Sequence, residues 1–249
     1  MIQLLALPRP TKLTDDLVIK LTERYKKTGQ SVWIQRFIKE HLLKMSFNKC
    51  SFCECNIVEE SKYLEVEHFL PKSIYEDKVV DWANLLPACK RCNGYKSDYD
   101  TAIEPIIHPV NDKPNEHLRF NLYFFKGKTE LGKLTTQILQ LNDIRIFQPR
   151  QKVGSETRRQ LDNLEDWIEQ YQLTPTVRLR NKIHSFLRAI LIEAQPDSEY
   201  SATVATVIWS DDSYRFAKNF FQNEGWWDDE LQLLEQVIEL NAFEINGLR

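Results

Sequence analysis

Two Cys-x-x-Cys pairs constrain this chain more than any other feature of its sequence. The first pair is Cys50 and Cys53, the second is Cys89 and Cys92, and residues 54–88 separate them. A Cys-x-x-Cys turn aims two thiolates at one ion, and two such turns complete a closed tetrahedral zinc site. Because four thiolates leave no position for water, the spacing predicts a structural Zn²⁺ rather than a catalytic one.

Cys55 is the fifth cysteine, and all five lie between positions 50 and 92. It is an alternative ligand to Cys53, although the Cys-x-Cys spacing fits a metal-binding turn less well. Disulfide-bonded secreted proteins usually spread their cysteines along a shorter chain. The N-terminal residues do not resemble a signal peptide, and no stretch reaches the roughly 18 apolar residues that span a bilayer. We therefore expect reduced thiols, a cytoplasmic protein and no membrane contact.

The composition is that of an ordinary globular protein. The chain has 249 residues, of which 42% are hydrophobic, enough for one or two domains with a proper core. Its formal net charge is -3, so nucleic-acid binding would need a local positive surface or a partner that supplies one. The overall charge therefore neither supports nor excludes a nucleic-acid role.

The segment between the two cysteine pairs predicts a strand, a loop and a second strand. Residues 63–69 alternate apolar and acidic side chains, which is typical of a strand with one buried face. The apolar residues of segment 73–82 have no regular spacing, which predicts a loop, and residues 84–88 can form a short strand. From Cys89 onward the chain predicts a helix, with Asn93 and Lys96 one turn apart on the same side.

This arrangement resembles the HNH endonuclease family, whose fold is the ββα-metal finger. The resemblance rests on residues in the order and spacing of the family, namely Cys50, Cys53, Glu67, His68, Pro71, Asn84, Leu85, Cys89, Cys92, Asn93 and Lys96. The sequence departs from the family pattern at the third signature position, where Asn93 stands in place of histidine. That replacement is common in the family, so the resemblance still implies a nuclease.

The resemblance gives the residues of this motif specific catalytic roles. His68 is the candidate general base, because a neutral imidazole can take a proton from water near pH 7. Glu67, its neighbour on the strand, is expected to point to the opposite side and to offer a carboxylate oxygen to Mg²⁺ or Mn²⁺. The resemblance implies that Asn93 supplies an amide oxygen to the same ion. Such a sparse ligand set suffices, since Mg²⁺ keeps several waters.

Other polar residues of the motif are assigned supporting roles. Asn84 is expected to organise the loop and orient His68 rather than touch substrate. Arg91 and Lys96 are candidates for binding phosphate oxygens, the first as a planar fork and the second as a point charge. Glu65 is a surface carboxylate that shares a strand face with Glu67 and is a possible second metal ligand.

The flanking regions predict helices and one strand. Thr14 is expected to begin a helix that ends at Gly29, and Ser31 to begin a second with a core-packing stripe, the two forming a lid. Residues 117–125 predict a single strand followed by a turn at 126–128. His108 and His117 match no metal-site spacing and are interpreted as packing residues.

The C-terminal half predicts helices over residues 135–141, 145–173 and 177–194, from 211 to 221, and from 226 to about 240. Its basic residues are candidates for nucleic-acid contact, but a solvated helix face is the commoner explanation. They are Arg145, Arg150, Lys152, Arg158 and Arg159. Its aromatic residues indicate either core packing or anchors for a protein partner. They are Phe216, Phe220, Phe221, Trp226 and Trp227.

A narrower resemblance covers roughly residues 40–150. The motif VEHFLPKS, the run from the His108-Pro109 pair to HLRF at 117–120, and Leu141-Asn142 are similar to HNH proteins encoded with an ATPase in anti-phage systems. These are the Septu system and a retron system. The resemblance implies an ABC- or SMC-like ATPase subunit (PtuA-like) as partner, and in the retron case a reverse transcriptase with its DNA and RNA. The C-terminal region is the candidate docking site for the ATPase.

Together these patterns predict an α+β chain, with a zinc-stapled ββα-metal HNH finger embedded in a mostly α-helical fold. The expected segments are 1–48 (helical), 49–130 (nuclease domain) and 131–249 (helical, partner docking). The predicted activity is endonuclease cleavage of DNA, with RNA as an alternative. Two other functions stay open, a nucleic-acid-binding module that does not cleave and a scaffold whose C-terminal helices hold a partner.

Overall fold

The computed structural model describes residues 1–58 and 63–245, and its mixed helix and small-sheet architecture confirms the predicted fold class. The chain divides into two compact units. The first comprises Met1–His117 and Gly127–Leu141, so the predicted N-terminal segment 1–48 belongs to the same unit as the ββα motif. The second comprises Leu118–Lys126 and Asn142–Arg249, of which residues 246–249 lie outside the described part.

The first unit holds the ββα motif together with further α-helices. Its elements are α1 (Asp15–Thr28), α2 (Arg36–Met45), β1 (Leu64–His68), β2 (Leu85–Cys89), α3 (Lys90–Lys96), α4 (Pro114–His117) and α5 (Glu130–Ile138). Strands β1 and β2 are antiparallel, with His68 opposite Leu85, and α3 follows β2 directly. Helix α2 packs against both strands and buries Ile38 and Leu42 completely. The strand, loop, strand and helix thus follow the predicted order.

Local capping explains where the N-terminal helices begin and end. Thr14 caps α1 by accepting a hydrogen bond from the Leu17 N–H at 3.3 Å, and Gly29 ends it in the left-handed conformation with φ 66°. The predicted start of the second helix at Ser31 is wrong, because residues 32 and 33 form a turn and α2 begins at Arg36. Trp33 therefore lies outside the helix.

The second unit holds a small sheet and a helical core. Its elements are β3 (Leu118–Asn121), β4 (Phe124–Gly127), α6 (Ile144–Leu173), α7 (Val177–Ile192), α8 (Ser201–Ser210), α9 (Asp212–Asn223), α10 (Asp229–Asn241) and β5 (Glu244–Ile245). The predicted single strand over residues 117–125 is wrong. The chain reverses at Leu122 and Tyr123, which both have positive φ, and makes the hairpin β3–β4. Strand β5 pairs with β3 in parallel.

The helical core of the second unit is built around α8, an element that the sequence did not predict. Residues 201–208 of α8 are all buried, and α8 packs against both α6 and α10. The predicted aromatic anchors join the same core, since Phe220, Phe221 and Trp226 are at most 9% exposed. Core packing is therefore the correct interpretation of these three residues. No helix in the described ranges is both long and apolar enough to cross a membrane.

Arg150 is the largest fully buried side chain among the described residues. Its guanidinium carbon lies 4.5 Å from the centre of the Phe125 ring, and its Nε donates to the Tyr123 carbonyl at 2.8 Å. The solvated helix face favoured for this residue and the alternative nucleic-acid contact are therefore both wrong for Arg150, which braces the hairpin from inside the second unit. Elsewhere in the basic cluster, Arg158 pairs with Asp211 at 3.3 Å.

Candidate active site and metal centre

The four cysteines of the two Cys-x-x-Cys pairs meet in one buried cluster. Their Sγ atoms all lie within 4.8 Å of one another, and those of Cys53 and Cys89 are 3.8 Å apart. Four sulfurs bound tetrahedrally at about 2.3 Å from one ion are themselves about 3.8 Å apart. Burial raises the pKa of the Cys50 thiol, so four thiolates need a cation between them. The cluster can therefore bind a metal ion such as zinc.

Backbone hydrogen bonds shape the first cysteine turn. The Cys50 N–H donates to the Cys55 carbonyl at 2.9 Å, and the Glu54 N–H donates back to the Cys50 carbonyl at 3.0 Å. Glu54 adopts a positive φ of 64° to close the turn. Ser51 then ties the turn to β2, because its N–H and its hydroxyl both donate to the Pro87 carbonyl, at 2.9 and 2.6 Å.

The second cysteine turn coincides with the start of α3. Cys89 is the N-cap residue of this helix, and its Sγ accepts a hydrogen bond from the Cys92 N–H at 3.4 Å. The structure groups Cys53 with the other three thiols. Cys55 is outside this group, although its thiol hydrogen-bonds with those of Cys53 and Cys89, and its carbonyl oxygen accepts from the Cys50 N–H.

One cavity brings the predicted catalytic residues together. It has a volume of about 210 Å³ and lies where β1 ends beside α3. Its lining comprises Glu67, His68, Pro71, Lys72, Asn93, Gly94, Ser97 and Asp98. The predicted base and both predicted metal ligands therefore border one space.

His68 is held as a neutral imidazole in a fixed orientation. Its Nε2 lies 2.9 Å from the Val79 carbonyl oxygen, and since a carbonyl only accepts, Nε2 carries the proton and Nδ1 carries the lone pair. The edge of the ring packs against Trp33, with 4.8 Å between ring centres. Burial lowers the pKa of His68 to about 4, so the imidazole stays unprotonated at neutral pH.

Glu67 forms a buried ion pair with Lys96. Their atoms Oε1 and Nζ are 2.8 Å apart, and the Lys96 ammonium also donates to the His68 carbonyl at 2.8 Å. Strand alternation sends Glu67 toward α3 and His68 toward the Val79 loop, yet both still border the cavity. The predicted phosphate contact of Lys96 is wrong, because its side chain is buried and its ammonium is the counterion of Glu67.

The two buried acid–base groups predict opposite pH dependences of stability. Burial raises the pKa of Glu67 from 4.5 to about 7 against the lowering effect of Lys96, while the pKa of His68 falls from 6.5 to about 4. Between pH 4.5 and 6.5 the folded chain therefore holds a proton on Glu67 and the unfolded chain holds one on His68. Because each state binds one of these two protons, the two contributions to the pH dependence of the free energy of unfolding cancel. In this pH range the 2.8 Å contact between Glu67 and Lys96 is a hydrogen bond, and it becomes an ion pair as the pH rises through about 7.

Single substitutions should expose each contribution. In Glu67→Gln only His68 contributes, and the unfolded chain binds more protons than the folded chain. The free energy of unfolding should therefore rise with pH up to 6.5, with a slope approaching about 1.4 kcal/mol per pH unit. In His68→Gln only Glu67 contributes, and the folded chain binds more protons than the unfolded chain. The free energy of unfolding should therefore fall as the pH rises from 4.5 to about 7. Urea unfolding without added divalent ions measures both slopes. Equal slopes in the wild type and both variants would contradict these pKa values.

Asn84 fastens both ends of the loop between the strands. Its Oδ1 accepts from the Leu70 N–H at 2.7 Å, and its Nδ2 donates to the carbonyls of Leu70 and Lys78, both at 3.1 Å. Lys78 is next to Val79, the residue whose carbonyl orients the His68 ring. These contacts support the predicted organising role of Asn84.

The helix α3 presents the remaining predicted residues differently. Asn93 is half-buried and borders the cavity, where its amide oxygen can serve a metal ion beside the Glu67 carboxylate. Arg91 is exposed in the first turn of the helix. Carboxylate and amide oxygens are suitable ligands for Mg²⁺, so the donor chemistry of the cavity fits the ion that the sequence predicted.

Sequence reasoning missed three residues at the site. Lys72 and Asp98 border the cavity, and Trp33 contacts the His68 ring. Lys72 lies within the VEHFLPKS motif, which was the available signal for it. The sequence contained no signal for Trp33, because the predicted second helix placed this residue in its core-packing stripe.

His108 and His117 make contacts that agree with the packing interpretation. The His108 ring packs against Phe69, with 4.3 Å between ring centres, and its Nδ1 accepts from the Val110 N–H at 3.2 Å. Burial lowers the pKa of His108. His117 places its Nδ1 3.0 Å from the Thr129 hydroxyl.

Comparisons with known proteins agree with this geometry. The sequence model of the HNH endonuclease family matches residues 50–98, which include the cysteine cluster and the cavity lining. A Septu protein PtuB of Bacillus thuringiensis is 43% identical over 235 residues, covering 93% of this chain and 91% of that protein. Another Septu protein PtuB, from Bacillus mycoides (strain KBAB4), is 28% identical over 216 residues, covering 68% and 72%. No solved structure matches the chain significantly.

Proposed function

Because the chain belongs to the family of the Septu PtuB proteins, we propose that it is a metal-dependent endonuclease that hydrolyses phosphodiester bonds, with DNA favoured over RNA as substrate. The HNH endonuclease segment supports the nuclease class. The observation that carries the proposal is a cavity bordered by an imidazole, a carboxylate and an amide, from His68, Glu67 and Asn93. A base beside oxygen ligands is what one-metal hydrolysis of a phosphodiester needs.

His68 acts as the general base in this proposal. Its Nε2–H is engaged by the Val79 carbonyl, which leaves Nδ1 to accept the proton of the attacking water. Its pKa, lowered by burial to about 4, favours the unprotonated form at neutral pH. A bound phosphodiester brings negative charge beside the ring and thereby raises that pKa toward the range useful for proton transfer.

Glu67 and Asn93 would hold the catalytic Mg²⁺ or Mn²⁺. When bound, such an ion neutralises charge on the phosphate and on the 3′-oxygen leaving group. Lys96 fixes the Glu67 carboxylate through its ion pair, and Asn84 fixes the loop that carries the Val79 carbonyl. Arg91, exposed on α3, remains a candidate phosphate-binding residue.

The cysteine cluster has a structural role in the same proposal. We propose that its metal is Zn²⁺, held by Cys50, Cys53, Cys89 and Cys92. The cluster joins the turn before β1 to the start of α3. Because α3 carries Asn93 and Lys96, a zinc ion there would fix the helix against the strand that carries Glu67 and His68.

The proposed setting is an anti-phage defence complex with an ATPase. Both relatives carry the Septu name, so we favour a Septu complex with a PtuA-like subunit over a retron complex with a reverse transcriptase. An ATPase partner would also allow control of a nuclease that is dangerous to its host. The acidic net charge of -3 fits a subunit that relies on its complex for much of its nucleic-acid affinity.

The docking surface for the ATPase is proposed in the second unit, near the turn between α6 and α7. Leu173 and Val177 flank this turn and are 86% and 75% exposed, whereas the aromatic residues first considered as anchors are largely in the core. Replacing both by glutamate should lower copurification of the ATPase at least about tenfold, because two unpaired carboxylates oppose the burial of this surface in an interface. The matched control is Ile19→Glu on α1, an exposed apolar position in the first unit. Undiminished copurification of the double variant would place the interface elsewhere.

Two alternative functions predict different results. A binding module that does not cleave would retain its biological activity in His68→Ala. A scaffold would lose its biological activity only when the second unit is altered, not when the HNH residues are replaced. Surface variants of the second unit test this better than deletion of residues 196–249. That deletion would remove α8, α9 and α10 from the helical core and would unfold the unit.

The proposed activity is tested by incubating the purified chain with plasmid DNA and with total RNA. Each reaction contains Mg²⁺, Mn²⁺ or a chelator of divalent ions, with and without the ATPase. Cleavage of DNA that requires the ion would support the proposal, and cleavage only with the ATPase would add control by the partner. Cleavage of RNA alone would reverse the substrate preference. Tight binding of nucleic acid without any cleavage would favour the binding module.

A further inference from the structure

One lysine borders the cavity, and its environment differs from that of Lys96, which is buried beside it. Lys72 borders the cavity together with Glu67, His68 and Asn93. Its charge is close enough to affect both acid–base groups. Burial has the largest effect on both groups, raising the pKa of Glu67 and lowering that of His68. The positive charge of Lys72 has a smaller effect, which lowers both pKa values. A cationic side chain therefore borders the space in which the substrate would react.

The two lysines differ in what already neutralises them. Lys96 is 1% exposed and is paired with Glu67 at 2.8 Å, so its charge is used within the protein. Lys72 is only half-buried, and across residues 1–58 and 63–245 no carboxylate lies within ion-pairing distance of its ammonium. A cation beside a cavity without a carboxylate partner is suited to an anionic ligand.

Contacts from the N-terminal segment position Lys72. Its ammonium lies 5.4 Å from the centre of the Trp33 ring, and its carbonyl accepts a hydrogen bond from the Tyr25 hydroxyl at 3.5 Å. The preceding Pro71 closes a turn, since its carbonyl accepts from the N–H groups of Ile74 and Tyr75 at 3.0 and 2.9 Å. Lys72 is thus held at the cavity beside the same indole that packs against His68.

We infer that Lys72 binds a phosphate of the substrate strand in this cavity, an inference that rests on the proposed nuclease function. A lysine ammonium is a compact point charge that can contact a non-bridging phosphate oxygen without reading the base. The ligand is therefore the nucleic-acid backbone, and the contact is independent of sequence. Lys72 takes the role that the spacing on α3 had suggested for Lys96.

Binding at several salt concentrations tests this contact directly. The His68→Ala protein, which should bind without cutting, is titrated with fluorescein-labelled DNA duplex and single strand between about 50 and 200 mM salt, without added divalent ions. Adding Lys72→Met should flatten the slope of log K against log salt by about 0.7–0.9 and weaken binding at the lowest salt. Lys72→Arg should retain the slope, because it keeps the charge.

The matched control is Lys182→Met in the second unit. Lys182 also places its ammonium over an indole ring, 3.2 Å from the centre of Trp167, so its replacement removes the same charge and the same type of contact. We expect an unchanged salt slope. If Lys72→Met and Lys182→Met have the same slope, Lys72 only packs on Trp33 and the inference is overturned.

Steady-state kinetics separates this inference from the proposed function. With His68 intact, Lys72→Met should raise KM by about tenfold or lower kcat/KM by a similar factor, and Lys72→Arg should recover most of the loss. A wild-type chain that binds DNA but cuts nothing would refute the nuclease proposal while the salt slopes still decide the role of Lys72. Unchanged kcat/KM in an active Lys72→Met enzyme would refute the phosphate contact alone.

Discussion

Replacing His68 by alanine is expected to reduce metal-dependent cleavage by about 10²–10⁴-fold. The substitution removes the only imidazole that borders the cavity among the described residues, and with it the proposed acceptor for the proton of the attacking water. Binding of nucleic acid should persist, because the cations of the site remain. Initial rates on the substrate that the wild type cleaves, at saturating divalent ion, measure the effect.

A lower cleavage rate in His68→Ala can come from unfolding or from the missing proton acceptor, and the two causes must be distinguished. His68→Ala also leaves the buried Val79 carbonyl without its donor, which costs about 1–3 kcal/mol. Unfolding by urea must therefore show that the variant is folded in the assay. Free imidazole added to His68→Ala should restore part of the rate, because it can enter the space that the side chain leaves. His184→Ala, at a half-buried histidine in the second unit, should cleave like the wild type.

Two outcomes would contradict the assignment of His68. Equal cleavage by the wild type and by folded His68→Ala would point to a contaminating nuclease or to another base. Equal losses in His68→Ala and His184→Ala would indicate a general destabilisation rather than a missing proton acceptor. Neither outcome would explain a recovery of the cleavage rate by free imidazole, so such a recovery supports His68 as the base.

Replacing Cys53 by serine is expected to remove the metal and to unfold the ββα motif. Structural zinc contributes about 10–16 kcal/mol in finger peptides, and the loss of one thiolate ligand weakens such a site severely. A destabilisation of only about 3–5 kcal/mol would already lower the melting temperature of the first unit by on the order of 10 °C. Metal content measured on the purified protein, together with thermal unfolding, tests the expectation.

Cys55→Ser is the matched control for this experiment. Cys55 lies two residues away and its Sγ falls outside the group of four. Its thiol hydrogen-bonds with those of Cys53 and Cys89, and its carbonyl oxygen accepts from the Cys50 N–H. Serine preserves that backbone contact, so the variant should keep its metal and its melting temperature. If Cys55→Ser lost the metal and Cys53→Ser retained it, the ligand set would be Cys50, Cys55, Cys89 and Cys92 instead.

Much of the second unit could not be predicted because its signals are unusual. Helix α8, with the sequence SATVATVIWS, is rich in β-branched residues and buried on all sides over positions 201–208, so it shows no amphipathic period. The β3–β4 hairpin turns at Leu122 and Tyr123, which do not have the usual turn-forming side chains. Arg150 looks like a surface charge in the sequence, but only the packed fold reveals the aromatic cage around it.

The sequence by itself determined the ββα motif, the four clustered cysteines and the meeting of Glu67, His68 and Asn93 at one cavity. These features depend on short-range spacing, because a strand, a cysteine turn and one helical turn fix where neighbouring residues lie. Only the tertiary structure decided which lysine is buried against Glu67 and which faces the cavity, and that Trp33 lies beside His68. Burial and ion pairing arise from segments distant in sequence, so spacing within one motif cannot specify them.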